Sequence, residues 1–506
     1  MAVRALPFFP CSSKLAAPAG TPRRFVTACP LSLPLHGLAV ARARGIFGRE
    51  AGSASSHPTQ PTRGTPVRFV PTALMIAVST LALPAQQPDP ALLSAIRGIR
   101  AIDNHSHPPA LTSRGEKDDE FDALPCDPLE PTNPALTTRP ENPRYLAAWR
   151  ALYGYKYNDA DSAHLRELIA AKQRVKASHG EQYPAWVLDK LGIETELANR
   201  VTPGRGLVAP RFRWVPFVDA LLFPLDNSAL ASYTPDRKFF FAREDTLLRY
   251  YMRAIKVARR PATLEAYLSQ VVTPALEALK RDGAVAFKYE AAYLRRLDFT
   301  RGDMAAASQA YARYAAGGVP GATEYSAIQD VVFHHIAVEA GRLGLPIHIH
   351  TGYGCGGYFE LSGADPLLLE PVLDDPALRK TTFILLHGGA GPFSKQIAAL
   401  LMKPNVYTDF SEQTWLLPTR ELASSIRYWL EWYPEKVLFG TDLSPGAPTI
   451  DWEEIGWQTT TSARDALAIA LTGMMNDGEI TRPRALEIAR MVMRENALRL
   501  YGWAKP

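Results

Sequence analysis

Ile102-Asp103-Asn104-His105-Ser106-His107-Pro108 is the stretch that decides the fold. A short apolar run, Ile99–His105, reads as a buried strand and ends in two histidines separated by one residue. On an extended chain, side chains two apart point to the same side, so both imidazoles can reach one cation. Alone, such a pair is as compatible with a surface position as with a metal site. The pattern recurs, however, at three later strand ends: Pro346-Ile347-His348-Ile349-His350-Thr351-Gly352, Leu385-Leu386-His387-Gly388-Gly389 and Phe439-Gly440-Thr441-Asp442. Of the 11 histidines in the chain, five fall at these strand ends, which marks them as a set.

Working outward, short β-branched or apolar runs alternate with longer helical stretches from Pro90 onward, the rhythm of a parallel α/β sheet. The expected strands are Ile99–His105, Ile193–Val201, Phe212–Leu222, Ala284–Tyr289, Leu345–His350, Thr382–His387, Val406–Phe410 and Val437–Thr441. Eight strands with helix-length connections close a (β/α)8 TIM barrel, whose ligand face is built at the strand C-termini. The segment of about 108–189 is too long for an ordinary connection and is expected to be an insertion after the first strand, placed over that face.

The chain has 506 residues, 47% hydrophobic and 21% charged, a composition for a large folded core. Its net charge of +5 is uneven. Residues 1–66 hold eight Lys/Arg and one acid, Glu50, so the remainder is close to neutral at about −2, and a nucleic-acid-binding surface is not expected. That leader reads as an organelle-type extension or a mis-assigned start. Arg68 and the apolar run Val70–Leu83, ending in Pro84-Ala85-Gln86-Gln87, have the layout of a secretory signal over 67–85, with the working protein expected from about residue 90 to 506. The run is too short for a permanent membrane anchor. Secretion or a periplasmic location is therefore expected, and a cytoplasmic one if the segment is not a signal. Cys126 and Cys355 are isolated in the body and no bridge between them is expected.

Histidine and carboxylate are the ligand types that borderline divalent ions prefer. His105, His107, His350, His387 and Asp442 supply them, while His348 is read as facing the barrel interior. These residues and their order resemble the amidohydrolase superfamily, and more narrowly the branch with aminocarboxymuconate semialdehyde decarboxylase and the amidohydrolase domains fused to glutamine synthetase. The resemblance runs from about Ile99 to Trp503 and rests on IDNHSHP, AFKYEAAYLRRL, PIHIHTGYG, LLHGG, NVYTDFS, VLFGTDLSP and ENALRLYGW. It implies a metal-dependent barrel in which His105, His107, His350 and Asp442 ligate one or two divalent ions, with zinc the expected metal. His387 takes the place of a second-metal or acid–base histidine, and Lys288 that of a lysine which in some members is carboxylated to bridge two metals.

The implied activity is hydrolysis of a small-molecule amide, or a related ester, by water activated at the metal, with Asp442 as the proton acceptor and His387 or Lys288 stabilising the oxyanion. Non-oxidative decarboxylation of a small carboxylic acid is the alternative, and a non-catalytic binding barrel a third. Arg295 is the candidate clamp for a substrate carboxylate, although it stands one residue away from the family's arginine because Leu294 follows Tyr293. Asp409 is read as either a ligand-orienting or a barrel-buttressing group. The expected partner is a small-molecule substrate, and a homo-oligomer is left open.

Overall fold

The computed structural model describes residues 87–113 and 116–503. The leader 1–66 and the apolar run within 67–85 lie outside the described residues. Eight strands follow in order: β1 (Ala101–Ser106), β2 (Ile193–Asn199), β3 (Phe212–Val215), β4 (Phe287–Tyr289), β5 (Ile347–His350), β6 (Phe383–Leu386), β7 (Val406–Asp409) and β8 (Val437–Leu438). Each pairs in parallel with its sequence neighbour within the runs β1-β2-β3 and β4-β5-β6-β7-β8.

Backbone hydrogen bonds join the two runs into a ring. Between β3 and β4, Val285 N donates to Trp214 O (3.0 Å), Lys288 N to Pro216 O (2.9 Å) and Val218 N to Lys288 O (3.0 Å). Between β8 and β1, Asn104 N donates to Phe439 O (2.9 Å) and Asp442 N to His105 O (2.8 Å). The result is the (β/α)8 barrel, with strands buried on both faces as parallel sheets require.

Side-chain alternation along the strands sorts the core into two layers. Ile102, Leu197, Val215, Ala286, Ile384, Leu386 and Leu438 form one cluster inside the barrel, closed off by Ala497. The alternate positions, among them Phe287, Ile347, Ile349, Phe383, Leu385, Val406 and Val437, pack outward in the larger core with the helices. In β1, Asp103 pairs with Glu196 and Ser106 with Ala198, so three steps on one strand match two on the other. This bulge lets Ile102 and His105, an odd number of residues apart, both serve the interior.

Two expected boundaries are corrected. The third strand was expected over Phe212–Leu222, but β3 stops at Val215 because Pro216 has no N–H to extend the ladder, and Asp219–Leu222 turns as a 3-10 helix. Within 108–189, helices Pro143–Tyr153 and Ser162–His179 are added structure, whereas Tyr183–Leu191 packs on β2 and is the crossover helix leading into it. No described helix is long and apolar enough to cross a membrane.

The cysteine expectation is also overturned. Cys126, in the insertion, is disulfide-bonded to Cys355, in the loop after β5, with Cα atoms 5.9 Å apart. They are separated by 229 residues, and only the folding of the insertion over the strand ends brings them together. Cysteine spacing carries no trace of that approach.

Candidate metal centre

His105, His107, Lys288, His350, His387 and Asp442 line one cavity of about 510 Å³ at the C-terminal ends of the strands. One oxygen of Asp442, Oδ1, lies 3.0 Å from His105 Nε2 and 3.5 Å from His107 Nε2. These three side chains place a ligand atom each within 4.8 Å of one another. The His105 ring lies 5.0 Å from that of His107 and 5.0 Å from that of His387, which is in turn 4.6 Å from the His350 ring. His350 and His387 thus adjoin the tight triple without belonging to it. Lys288 Nζ lies 3.3 Å from His105 Nε2 and 3.7 Å from Glu290 Oε1.

Burial, reinforced for each by the Lys288 cation, pushes the imidazoles of His105, His350 and His387 well below the ordinary histidine range and that of His107 to about 4. All four are therefore neutral near pH 7, the form that binds metals. Burial acts oppositely on Asp442, raising its carboxyl well above the usual range despite Lys288. An anionic Asp442 in this setting calls for a cation beside it. His350 Nε2 is buried without a hydrogen-bond partner. Neutral imidazoles, a carboxylate shared between two of them and an unpartnered ring nitrogen at the same cavity fit a divalent ion.

The backbone around the cavity is strained. His387 (φ 64°), Glu412 (φ 58°) and Asp442 (φ 57°) adopt the left-handed region, which costs of the order of 1–3 kcal/mol each and persists only where neighbours enforce it. Asp409 does much of that enforcing, since its carboxylate accepts from His387 N (2.9 Å), Asn104 Nδ2 (2.9 Å), Ser411 N (3.2 Å) and Ser411 Oγ (2.6 Å). Because the Ser411 hydroxyl donates to Asp409, it accepts from His387 Nδ1–H at 2.9 Å, which leaves His387 Nε2 unprotonated. On the other side, Asp103 accepts from Thr441 N (2.9 Å) and Thr441 Oγ1 (2.5 Å) and ties the chain before Asp442 to β1.

Two expected substrate groups stand away from this cavity. Arg295 donates to Gln329 Oε1 (2.9 Å), pairs with Asp330 Oδ1 (3.0 Å) and stacks over Phe299 at 4.1 Å. Asp409 lies beneath the site in its buttressing position, and neither residue lines the cavity. His348 faces the barrel interior, where its Nε2 is 2.8 Å from Tyr501 Oη.

Among the lining residues that sequence reasoning passed over are Asp122, Glu290, Tyr293 and Glu412. Asp122 comes from the insertion, with Oδ2 3.4 Å from His107 Nδ1, and with Glu290 and His107 it forms a second compact group of ligand atoms. Glu290, two residues beyond Lys288 at a strand end, carried the same positional signal as the histidines. Glu412 and Asp122 carried none, since their approach depends on a turn and an insertion.

Residues 254–503 match the family model described as amidohydrolase. The chain belongs to the amidohydrolase superfamily. As an amidohydrolase-family protein it is a metal-dependent enzyme. Among solved structures, it is similar to a candidate metal-dependent hydrolase from Lactobacillus casei, at 16% identity over 83% of this chain and 98% of that one, with a TM-score of 0.49. It is also similar to uronate isomerase from Thermotoga maritima, at 13% identity over 82% and 98% with a TM-score of 0.47. A third is 5-carboxyvanillate decarboxylase from Sphingomonas paucimobilis, at 14% identity over 74% and 98% with a TM-score of 0.29. No curated protein matches the chain.

Proposed function

We propose that this amidohydrolase-family enzyme hydrolyses a non-peptide C–N amide bond, or a related ester, in a small molecule. The observation that carries the reading is the carboxylate of Asp442, set against both His105 and His107 on an open cavity. His105, His107 and Asp442 would hold a divalent ion, zinc by ligand type, with His350 and His387 adjoining for a second ion and Lys288 for charge stabilisation. Such an ion supplies Lewis acidity toward a carbonyl and brings the pKa of water toward neutrality.

The chain's own groups then move protons. An Asp442 oxygen accepts a proton from the attacking water and delivers it to the departing amine, so the carboxyl carries the proton only between the two steps. His387, with Nε2 unprotonated and its ring held by Ser411, is placed to accept a hydrogen bond from water or substrate. The buried ammonium of Lys288 is the positive charge nearest His105 and stabilises a developing oxyanion.

The test is a panel of small amides, esters and carboxylic acids given to metal-stripped and zinc-reloaded enzyme. Zinc-dependent amine release without carbon dioxide supports hydrolysis. Carbon dioxide released from a carboxylic acid, with no amide turned over, replaces it with the decarboxylase reading. We read residues 67–85 as an export signal, and the Cys126–Cys355 bridge supports an oxidising destination. N-terminal sequencing of the isolated protein checks that start.

A further inference from the structure

The cavity is unusually acidic for a site that would take an anionic substrate. Asp122, Asp127, Glu290, Glu412 and Asp442 line it, and Lys288 is the only lysine or arginine among the described lining residues. Lys288 is already placed beside Glu290, and Asp442 belongs to the metal set. Bound divalent charge at His105, His107 and Asp442 would leave an acidic surplus on the rest of the wall.

Glu412 stands out within that surplus. It is 6% exposed, and its Oε2 is buried with no hydrogen-bond partner. Its backbone sits at φ 58°, ψ −53°, a conformation costly for a glutamate and therefore held by its surroundings. Trp415, in the short helix that starts after it, also lines the cavity, with Nε1 buried and unpartnered. The Tyr293 ring, on the same wall, packs 4.9 Å from that of His350. A buried acceptor without a donor, on a cavity wall, is the arrangement that receives a cation through a charge-assisted hydrogen bond.

We infer that Glu412 is a specificity-determining residue that binds a cationic group, an ammonium or guanidinium, of the substrate. The charge preference of the cavity stands whichever bond of the substrate is broken, and so does not depend on the hydrolase reading. A guanidinium offers Glu412 several N–H donors and stays charged at any working pH.

The test uses n-butylguanidinium and its neutral isostere N-butylurea, neither of which needs to react. Both are titrated calorimetrically into zinc-loaded full-length enzyme. The cation is expected to bind about tenfold or more tightly than the urea, since hydrogen bonds to charged groups exceed neutral ones by that order. Glu412→Gln should abolish that preference while zinc affinity, measured by chelator competition, stays within about twofold. Should Glu412→Gln fail to fold, Glu412→Gly serves, because glycine has no Cβ to oppose this positive φ. Equal affinity for the two probes in the wild type, or a preference that survives the neutral variant, overturns the assignment. Absence of amide turnover by the zinc-loaded wild type, with a cation preference that Glu412→Gln abolishes, would instead remove the hydrolase reading and leave this one standing.

Discussion

Removing the Cys126–Cys355 bridge is the perturbation whose size the structure fixes best. The bridge closes a loop across 229 residues, and the chain-entropy relation for a loop of that length gives about 5 kcal/mol of stabilisation at 25 °C, an upper figure because denatured chains keep some compactness. For a body of about 400 residues, with an unfolding entropy near 2.1 cal/mol/K per residue, that corresponds to a fall in Tm of roughly 6 °C. The insertion has other ties: Arg200 pairs with Asp118 Oδ2 at 2.6 Å, and Arg243 donates to Ala123 O at 2.7 Å. The double variant Cys126→Ser/Cys355→Ser should therefore fold and retain zinc, melt about 4–6 °C lower, and become insensitive to dithiothreitol. Wild-type protein should fall to the same Tm on reduction. The assay is scanning calorimetry with and without reductant, alongside peptide mapping of the oxidised protein. A Tm within about 1 °C of wild type, or Cys126 and Cys355 recovered as free thiols from protein kept oxidised, would refute the reasoning.

Asp442→Asn keeps the shape but loses the proton acceptor, so turnover should drop by about 10²–10⁴ while part of the zinc affinity remains; kcat with metal analysis decides this. Arg295→Ala breaks the contacts to Gln329 and Asp330 away from the cavity, and is expected to cost about 1–3 kcal/mol in urea unfolding with KM unchanged. His348 is held near pKa 3 by burial, so below its unfolded value of 6.5 the unfolded chain binds the extra proton. Wild type should lose stability relative to His348→Gln as pH falls from about 6.5 toward 3, and parallel pH profiles of urea midpoints would contradict it. Gly352→Ala should destabilise by about 2 kcal/mol or more, because its φ is +87° and a Cβ would lie 2.3 Å from Ala390 N.

The barrel was legible because its signal is local and periodic. β5 alternates Ile347 and Ile349 outward with His348 and His350 inward, and that two-residue period is visible in the letters. The metal-ligand candidates were legible for the same reason, since each lies in a buried strand or within four residues of its C-terminal end. What escaped depends on contacts between distant segments. The turn that gives Glu412 a positive φ has no glycine or asparagine to announce it. Asp122 and Cys126 belong to an insertion whose path over the cavity no periodicity encodes, and Cys355 meets it only in three dimensions. The overextended third strand came from reading Val215 through Leu222 as one apolar run, although Pro216 interrupts the ladder. Arg295 drew attention through its place beside the family's arginine, but the chain turns its guanidinium toward Asp330.

X-ray absorption at the zinc edge of the reloaded enzyme tests most directly whether His105, His107 and Asp442 share one ion. The structure leads us to expect a nitrogen/oxygen shell at about 2.0–2.1 Å with outer-shell scattering from at least two imidazoles, diminished in His107→Ala. A shell of oxygens alone, or imidazole scattering unchanged in that variant, would contradict it.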